Sequence, residues 1–289
     1  MIKISVGMIV FNAESILPYG MLHACIEQIY DIAHEIIIVE GATKADGITH
    51  RKDGDTSQFT KDGKSTDKTL DIIKSYPDKN NKIKIITKNG FWNGKTEMCN
   101  SYSKIATGDY VWHIDSDEFY KENDIITIIK LLEKYNPFAV HFYCNHFFGD
   151  WFHCIDENCG TGWSNAGPWM RIFKHKPGYS RWLSHEPPQY IYENNLISNN
   201  QRNILNRQFT LSRGIKLYHY GYVNFKQVLF KSKFYGNNEV IDVWDKWKKD
   251  DRCLLPGHTW TNKFKFEDHP LIIQKLIKKN GEIHSFVVI

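Results

Sequence analysis

The sequence predicts an α/β fold in which helices flank a mostly parallel sheet. Apolar runs of strand length alternate with amphipathic segments of helix length from residue 3 to residue 145. The run 35–40 (EIIIVE) is continuously apolar at its centre, which is typical of a strand buried on both faces. Strands that are separated by helices in this order pair in parallel through right-handed crossovers.

Each element of this alternation has its own signal in the sequence. The predicted strands are 3–11, 35–40, 82–87, 110–114 and 138–145. The predicted helices are 16–30, 67–75, 95–106 and 122–135. Ser15 is the expected cap of the first helix, which has Pro18 in its first turn, and Gly108 follows the end of the third helix.

The region after Gly149 is rich in Trp, Gly, Pro and Asn and has few regular periods. Two amphipathic helices are predicted near the end, over 225–247 and 270–279. The first contains the stretches FKQVLFKSKFYG and VWDKWKK, in which lysines are interleaved with aromatic residues. This pattern indicates either a docking face for an anionic membrane or an ordinary helix whose basic face lies in water.

Composition limits the partners and the location. The formal net charge of +4 is too weak to indicate nucleic-acid binding, and no aromatic–basic signature of an RNA module is present, so no nucleic-acid partner is expected. No run approaches the ~20 apolar residues of a membrane helix. The first twelve residues are typical of a strand rather than a signal peptide, so a cytoplasmic protein is expected, with peripheral membrane contact as an open addition.

The six cysteines stand in unlike contexts without CxxC pairs, which favours reduced, buried thiols. They are Cys25, Cys99, Cys144, Cys154, Cys159 and Cys253. An alternative is a zinc site made by Cys154 and Cys159 with the nearby His146 and His153, although the spacing is irregular.

The polar segment 41–65 is unusually long for a connection in such a sheet, where ~2–6 residues are common. It is rich in Gly, Asp, Thr and Lys. A loop of this length is either a mobile lid or disordered, and both interpretations stay open.

Three carboxylates follow the predicted strand 110–114 within four residues: Asp115, Asp117 and Glu118. Ligands of open parallel sheets bind beyond the carboxyl ends of the strands, where this cluster is placed. Like charges this close repel each other, and a hard divalent cation with oxygen ligands removes that repulsion. The D-x-D therefore indicates a site for a metal ion and a diphosphate, or alternatively a solvated acidic turn at a helix N-terminus.

The segment 88–119 (KNGFWNGKTEMCNSYSKIATGDYVWHIDSDEF) resembles the family 2 glycosyltransferases, which are enzymes of the GT-A type. Three earlier stretches are similar to that family in the same order: MIVFNAES (8–15), EIIIVEGA (35–42) and KSTDKT (64–69). The resemblance covers residues 3–120. It implies a GT-A-like fold with a mixed C-terminal extension, and metal-dependent transfer of a sugar from a nucleoside-diphosphate donor.

Later stretches resemble one branch of that family. MRIFKHKPGYSRWLSHEPP (170–188) is similar to its Arg-x-Phe-Lys/Arg element and His-Glu pair, and KLYHYGY (216–222) to its His-x-Gly-Tyr turn. The resemblance divides the chain into three parts. Residues 1–120 form a nucleotide-sugar-binding half, 121–223 form the acceptor and catalytic half, and 224–289 form a helical extension.

The resemblance implies roles for four donor-binding residues. Phe11 matches an aromatic residue that stacks on the base, although packing at a strand end is an equal alternative. Glu40 matches an Asp that hydrogen-bonds the base. Lys95 matches an Arg that contacts the diphosphate or the acidic cluster, and a solvated lysine is its alternative. Asp115 holds the ribose or a metal-bound water.

The resemblance also implies the metal ligands and the catalytic base. Mn²⁺ or Mg²⁺ is bound by Asp115, Asp117 and His219, and the imidazole suits Mn²⁺ better. Glu118 supports these residues or caps the next helix.

Glu186 matches the carboxylate that takes the proton from the acceptor hydroxyl in an inverting transfer. Its alternative is a salt bridge to Arg171 or Arg181.

The expected partners are a nucleoside-diphosphate sugar and a glycan, lipid-linked or protein acceptor. Two other functions stay open. One is a sugar- or nucleotide-binding module that has the fold without catalysis. The other is a phosphohydrolase with an aspartate nucleophile. In such phosphohydrolases the D-x-D follows the first strand and a Thr stands two residues on, where this chain has Phe119.

Overall fold

The structure, a computed structural model, describes residues 2–45, 55–155, 169–197, 203–236, 238–249 and 261–284. In these ranges the strands are β1 (Ile4–Val10), β2 (Glu35–Glu40), β3 (Thr43–Lys44), β4 (Ile83–Ile86), β5 (Trp92–Asn93), β6 (Tyr110–His113), β7 (Glu118–Phe119), β8 (Ala139–Phe148), β9 (His153–Ile155), β10 (Trp169–Lys174), β11 (Ser180–Ser184), β12 (Gln189–Tyr192), β13 (Asn195–Ile197), β14 (Ile204–Leu205), β15 (Lys216–Tyr222) and β16 (Thr261–Lys263).

The helices are α1 (Ala13–Ile16), α2 (Met21–Tyr30), α3 (Thr69–Lys74), α4 (Gly94–Ile105), α5 (Glu122–Tyr135), α6 (Arg207–Leu211), α7 (Phe225–Tyr235), α8 (Glu239–Lys249) and α9 (Leu271–His284). Two short 3₁₀ turns lie at Ser57–Phe59 and Phe266–Asp268.

The first half of the chain forms a parallel sheet, as predicted. β1 lies between β2 and β6, and β4 extends the sheet beyond β2, with parallel pairing throughout. The centre of β2 is fully buried because helices cover both of its faces. Ile36 and Ile38 pack in the same cluster as α2, whereas Ile37 and Val39 pack with residues of α4. The continuous apolar run is therefore a strand buried on both faces, as the sequence predicted.

The second half extends this sheet with mixed pairing. β10 pairs antiparallel with both β6 and β8, and β15 pairs parallel with the second half of β8. β15 also pairs antiparallel with the two-residue β7, where His219 lies opposite Glu118. The α/β fold class is thus confirmed. Through this mixed pairing, β10 and β15 from late in the chain lie close to the residues that follow β6.

Two predicted helices are each divided in two. The helix predicted over 16–30 is interrupted between α1 and α2, because Leu17 precedes Pro18 and is extended, and Gly20 is left-handed with φ 79°. Ser15 is therefore not the cap; that position belongs to Asn12. The helix predicted over 225–247 ends at Gly236, which is left-handed with φ 59°, and α8 starts afterwards.

The strand 35–40 and the helix 122–135 have the predicted bounds, and the other predicted elements are present with shifted ends. The last helix runs from Leu271 to His284 rather than over 270–279, and the strand predicted over 138–145 extends to Phe148. Of the described helices, none combines the length and the hydropathy needed to cross a bilayer.

The four described cysteines are buried free thiols, as the sequence favoured. Cys159 and Cys253 lie outside the described residues, so the zinc site that includes Cys159 stays an alternative. Its two histidines pack elsewhere: His146 contacts the ring of His219 with 4.5 Å between centroids, and the Nδ1 of His153 lies 2.8 Å from Asp150.

The start of the last helix is attached to the sheet by a buried histidine. The Nδ1 of His269 lies 2.7 Å from the Tyr220 hydroxyl, and its ring packs against Phe147 and Phe264 with centroids 5.2 and 4.8 Å away. Burial among these rings lowers the pKa of His269 to about 4, because a charged imidazole would lose its hydration there.

This low pKa predicts a loss of stability in mild acid. The folded protein keeps His269 neutral, whereas the unfolded chain binds a proton at a pKa of about 6.5, so the stabilisation is complete above that pH. It is lost as the pH falls towards 4, and the full loss is about 3 kcal/mol. Urea unfolding measures the free energy of unfolding of wild type and of His269→Phe. As the pH falls over this interval, that free energy should decrease more in wild type than in the variant.

Exposed His34→Gln is the matched control for removal of one imidazole. Other buried histidines are common to both proteins and cancel in the difference. A difference between wild type and His269→Phe that stays constant from pH 7 to pH 4.5 would contradict the assignment.

Candidate functional site

A cavity of about 350 Å³ opens at the carboxyl ends of β1, β2 and β6. Phe11, Gly41 and Asp115 line it, each following the end of one of these strands. The opposite wall comes from β10, β15 and α7. The volume is in the range of small-molecule sites, and the position is where open parallel sheets bind ligands.

The ends of β1 and β2 are tied to the KSTDKT segment. Asn12, with a positive φ of 47°, donates its backbone N–H to Ser65 Oγ at 2.9 Å and accepts the Thr66 N–H at 2.8 Å. Glu40 Oε1 accepts the Ser65 N–H at 2.7 Å. The other carboxylate oxygen of Glu40 is buried and has no hydrogen-bond partner within the described ranges. Glu40 itself is not among the residues that line the cavity.

The long 41–65 segment has an ordered base. Residues 46–54 lie outside the described part, so the choice between lid and disorder stays open for them. On either side, the N–H of Thr43 bonds to Thr56 Oγ1 at 2.7 Å, and the N–H of Thr56 bonds to the Thr43 carbonyl at 2.8 Å. Both threonines line the cavity, and the Phe59 ring packs against Phe230 of α7 with 5.0 Å between centroids.

Asp115 interacts with His113 and with the cationic side chains of Arg171 and Lys95. Its Oδ1 lies 3.3 Å from His113 Nε2, and its Oδ2 lies 3.6 Å from a terminal nitrogen of Arg171. Burial alone would raise the pKa of this carboxyl, but His113, Arg171 and Lys95 together hold it well below its usual range. Asp115 is therefore ionised at neutral pH.

Asp117 has two different partners on one oxygen. Its Oδ2 lies 3.1 Å from Lys231 Nζ and 3.3 Å from His219 Nε2. Asp117 is only 7% exposed, and burial would raise its pKa. Lys231 and His219 lower the pKa of Asp117 well below its ordinary value instead, so this carboxylate is also charged.

Glu118 forms a fully buried ion pair. Arg171 donates from its Nε to the two Glu118 oxygens at 3.0 and 2.8 Å, and its Nη2 is also bonded to Glu118. Glu118 in turn accepts the Asp115 N–H at 3.3 Å. The next helix starts at Glu122 with Lys121 at the cap position, so Glu118 supports the acidic turn and does not cap the helix.

Lys95, His185 and Glu186 also line the cavity. Burial would lower the pKa of Lys95, but Tyr235, Asp115 and Glu186 raise it above its ordinary value, so the ammonium is charged. His185 Nε2 lies 3.3 Å from His113 Nε2, and burial together with Lys95 keeps the pKa of His185 well below normal. Glu186 is half-buried and follows β11.

The predicted metal ligands are brought together only in part. Asp117 and His219 are in contact, whereas Asp115 faces His113. Within the described part of the chain, the histidine–carboxylate group whose ligand atoms all lie within 4.8 Å of one another is His113, Asp115 and His185. The residues at Asp117 nevertheless fit a divalent ion. A carboxylate and an imidazole suit Mn²⁺, and the carboxylate already faces a positive charge, the Lys231 ammonium.

Sequence reasoning missed Lys231 and Trp169. Trp169 lines the cavity with its ring 5.0 Å from the Arg171 guanidinium. The interpretation of a basic helix face in water holds for Lys226 and Lys233, which are exposed, but not for Lys231, whose side chain is 17% exposed. A helical wheel of FKQVLFKSKFYG does not by itself distinguish these lysines, because each has aromatic neighbours.

Several solved structures are similar to this chain at low identity. S. aureus TarS 1-349 is 14% identical with a TM-score of 0.38, over 60% of this chain and 47% of that chain. The mannosyltransferase PcManGT from Pyrobaculum calidifontis, in complex with GDP-Man and Mn²⁺, is 14% identical with a TM-score of 0.37, over 60% and 44%. This chain therefore spans less than half the length of both. No curated protein matches it.

A family model also matches. Residues 59–189, a little under half of the chain, match the model described as glycosyl transferase family 2. The matched segment contains KSTDKT, the D-x-D and Glu186, whereas β1 and β2 precede it. The match confirms, over this part of the chain, the resemblance to the family 2 glycosyltransferases that the sequence predicts.

Proposed function

We propose that the chain transfers a sugar from a nucleoside-diphosphate donor to a hydroxyl of a glycan, lipid-linked or protein acceptor, with a divalent metal ion and with inversion. One observation carries the proposal. A single cavity combines the two aspartates of the D-x-D, positive side chains beside them, and the separate carboxylate of Glu186. The aspartates and the positive side chains would bind the metal ion and the diphosphate, and Glu186 would serve as the base for the acceptor hydroxyl.

The nucleoside would lie against the ends of β1 and β2. Phe11 is half-buried and lines the cavity, so its ring is available for stacking on a base. Glu40 has one buried oxygen without a described partner, but it does not line the cavity, so a hydrogen bond from the base would require the cavity wall to rearrange. Asp115 would accept a hydrogen bond from the ribose.

The diphosphate would lie before the acidic turn. Asp117 and His219, with Asp115, would hold Mn²⁺ or Mg²⁺, and such an ion supplies stabilisation of the negative charge on the leaving diphosphate. Lys95, whose ammonium is charged, contributes a second positive group on the Glu186 side of the cavity. Arg171 is tied to Glu118 and acts through the position of the acidic turn.

Glu186 would act as the catalytic base. The acceptor oxygen forms the new bond to the anomeric carbon, the bond from that carbon to the diphosphate breaks, and Glu186 receives the hydroxyl proton. The Glu186 carboxylate interacts electrostatically with Lys95 and Tyr235, and it contributes to raising the pKa values of both. Arg171, one of its alternative partners, is already engaged by Glu118.

A lipid-linked acceptor would reach the cavity past α7. Phe225 and Leu229 of this helix are exposed at 40% and 38%, beside the exposed Lys226. Apolar and basic side chains in this arrangement support peripheral contact with an anionic bilayer.

The first test is nucleotide binding. UDP or GDP with Mn²⁺ should stabilise the folded protein by about 2.7 kcal/mol at 100 times its Kd, measured as a rise in Tm. EDTA and Asp117→Ala should both abolish the rise, because they remove the ion or its carboxylate. Asp71→Ala, at an exposed position of α3, is the matched control and should keep it. No rise with any nucleoside diphosphate in the wild type would sink the proposed donor.

The second test is the base. Glu186→Gln should lower kcat by about 100-fold or more while leaving the Kd of the nucleotide unchanged, because the amide cannot accept the acceptor's proton. Glu193→Gln, an exposed residue of the neighbouring β12–β13 turn, serves as control. Transfer should be followed as nucleoside diphosphate released in the presence of acceptor. Unchanged kcat in Glu186→Gln would move the base elsewhere, and nucleotide binding without any transfer by wild type would leave a binding module.

A further inference from the structure

Lys231 of α7 occupies the place that the proposed metal ion would need. Its Nζ lies 3.1 Å from Asp117 Oδ2, the same oxygen that His219 approaches at 3.3 Å. We propose that Lys231 is a built-in counter-ion, which pairs with Asp117 in the free enzyme and binds the donor's diphosphate once a divalent ion has taken Asp117. This inference rests on the proposed function and assigns a donor-binding role to a residue of the C-terminal helices.

The two cations exclude each other at this oxygen. A divalent ion bound to Asp117 Oδ2 would lie about 4 Å from an ammonium that kept its present place. Positive charges at that separation repel each other, and the repulsion grows with the charge of the ion. Metal binding therefore requires Lys231 to leave Asp117, and the lysine in its present place lowers the affinity for the metal.

The surroundings of Lys231 leave room for its ammonium, and a bound diphosphate would offer it a new negative partner. Lys231 lines the cavity, and its Nζ lies 4.7 Å from the centre of the Tyr222 ring. A Cβ at Gly221 would lie only 2.5 Å from this Nζ, so glycine leaves the room that the ammonium uses. A diphosphate brought to Asp117 by the metal would present phosphate oxygens to the displaced ammonium, and lysine binds phosphate as a point charge on a flexible stem.

The other fixed cations of the cavity are less suited to this exchange. Of the described residues that line it, Lys95, Arg171 and Lys231 carry a permanent positive charge. Arg171 is held in a buried pair by Glu118, and Lys95 is influenced by both Asp115 and Glu186. Arg171 approaches the proposed metal ligand Asp115 only at 3.6 Å, whereas Lys231 contacts the proposed metal ligand Asp117 at 3.1 Å.

The start of α7, the helix that carries Lys231, is connected to the acidic turn through Tyr220 of β15. The N–H of Tyr220 bonds to the Asp117 carbonyl at 2.8 Å, and the Tyr220 carbonyl accepts from the side chain of Gln227 at 2.7 Å. Gln227 and Asn224 form a capping box at the start of α7. The helix is thus fixed relative to Asp117, and the exchange of partners belongs to the lysine side chain.

The test is a comparison of Lys231→Met with wild type in two titrations. Mn²⁺ alone, followed by calorimetry, should bind the variant about 10- to 100-fold more tightly, since a charge-assisted hydrogen bond of about 1.5–3 kcal/mol no longer competes. UDP or GDP, whichever stabilises the wild type, should bind the variant about 10-fold or more weakly at saturating Mn²⁺, because the diphosphate has lost a cation. Lys231→Arg should keep nucleotide affinity nearer to wild type.

Lys233→Met, which removes an exposed charge from the same helix, is the matched control and should change neither constant. Thermal unfolding verifies that each variant folds, and Lys231→Gln replaces the Met variant if that one does not. Unchanged Mn²⁺ affinity, or nucleotide affinity equal to wild type, overturns the inference while leaving the proposed function intact. Absence of nucleotide binding in the wild type itself overturns both.

Discussion

The compensation of the three carboxylates of the acidic turn is the interaction on which the site depends. Moving a carboxylate from water into a protein costs several kcal/mol unless a partner compensates for the lost hydration. Each of the three has such a partner: His113 and Arg171 for Asp115, Lys231 and His219 for Asp117, and Arg171 for Glu118. The acidic turn can therefore end a buried strand, with Asp115 facing the cavity and with Asp117 and Glu118 buried.

These partners explain why the mixed half of the sheet is needed. Apart from His113, the countercharges come from segments more than fifty residues away, on β10, β15 and α7. Antiparallel pairing of β10 with β6 places Arg171 behind the acidic turn, and pairing of β15 with β7 places His219 opposite Glu118. Residues of the parallel half and of the later half of the chain thus form one group of interacting side chains.

Much of the fold could be predicted from the sequence, because its strands are short apolar runs and its connections are amphipathic. The breaks at Pro18 and Gly236 also had local signals, which the longer helical periodicity obscured. The carboxylates of the site could be placed because they follow directly after a strand. Lys231 could not, since its role depends on which face of α7 meets β15, and that is decided by tertiary contacts such as the one between Gln227 and Tyr220.

The arrangement of charge also bears on how one cavity could keep a base apart from a metal site. Asp115 and Glu186 both act on Lys95, whose ammonium reduces the repulsion between the two carboxylates. At the other end, Lys231 compensates Asp117 until another cation arrives. If the donor's diphosphate binds Lys231 and the metal ion binds Asp117, the diphosphate and the Asp117 carboxylate would lie beside two positive groups, the metal ion and the Lys231 ammonium. Lys95 interacts with Glu186, so the exchange of partners at Asp117 would leave a positive side chain beside Glu186.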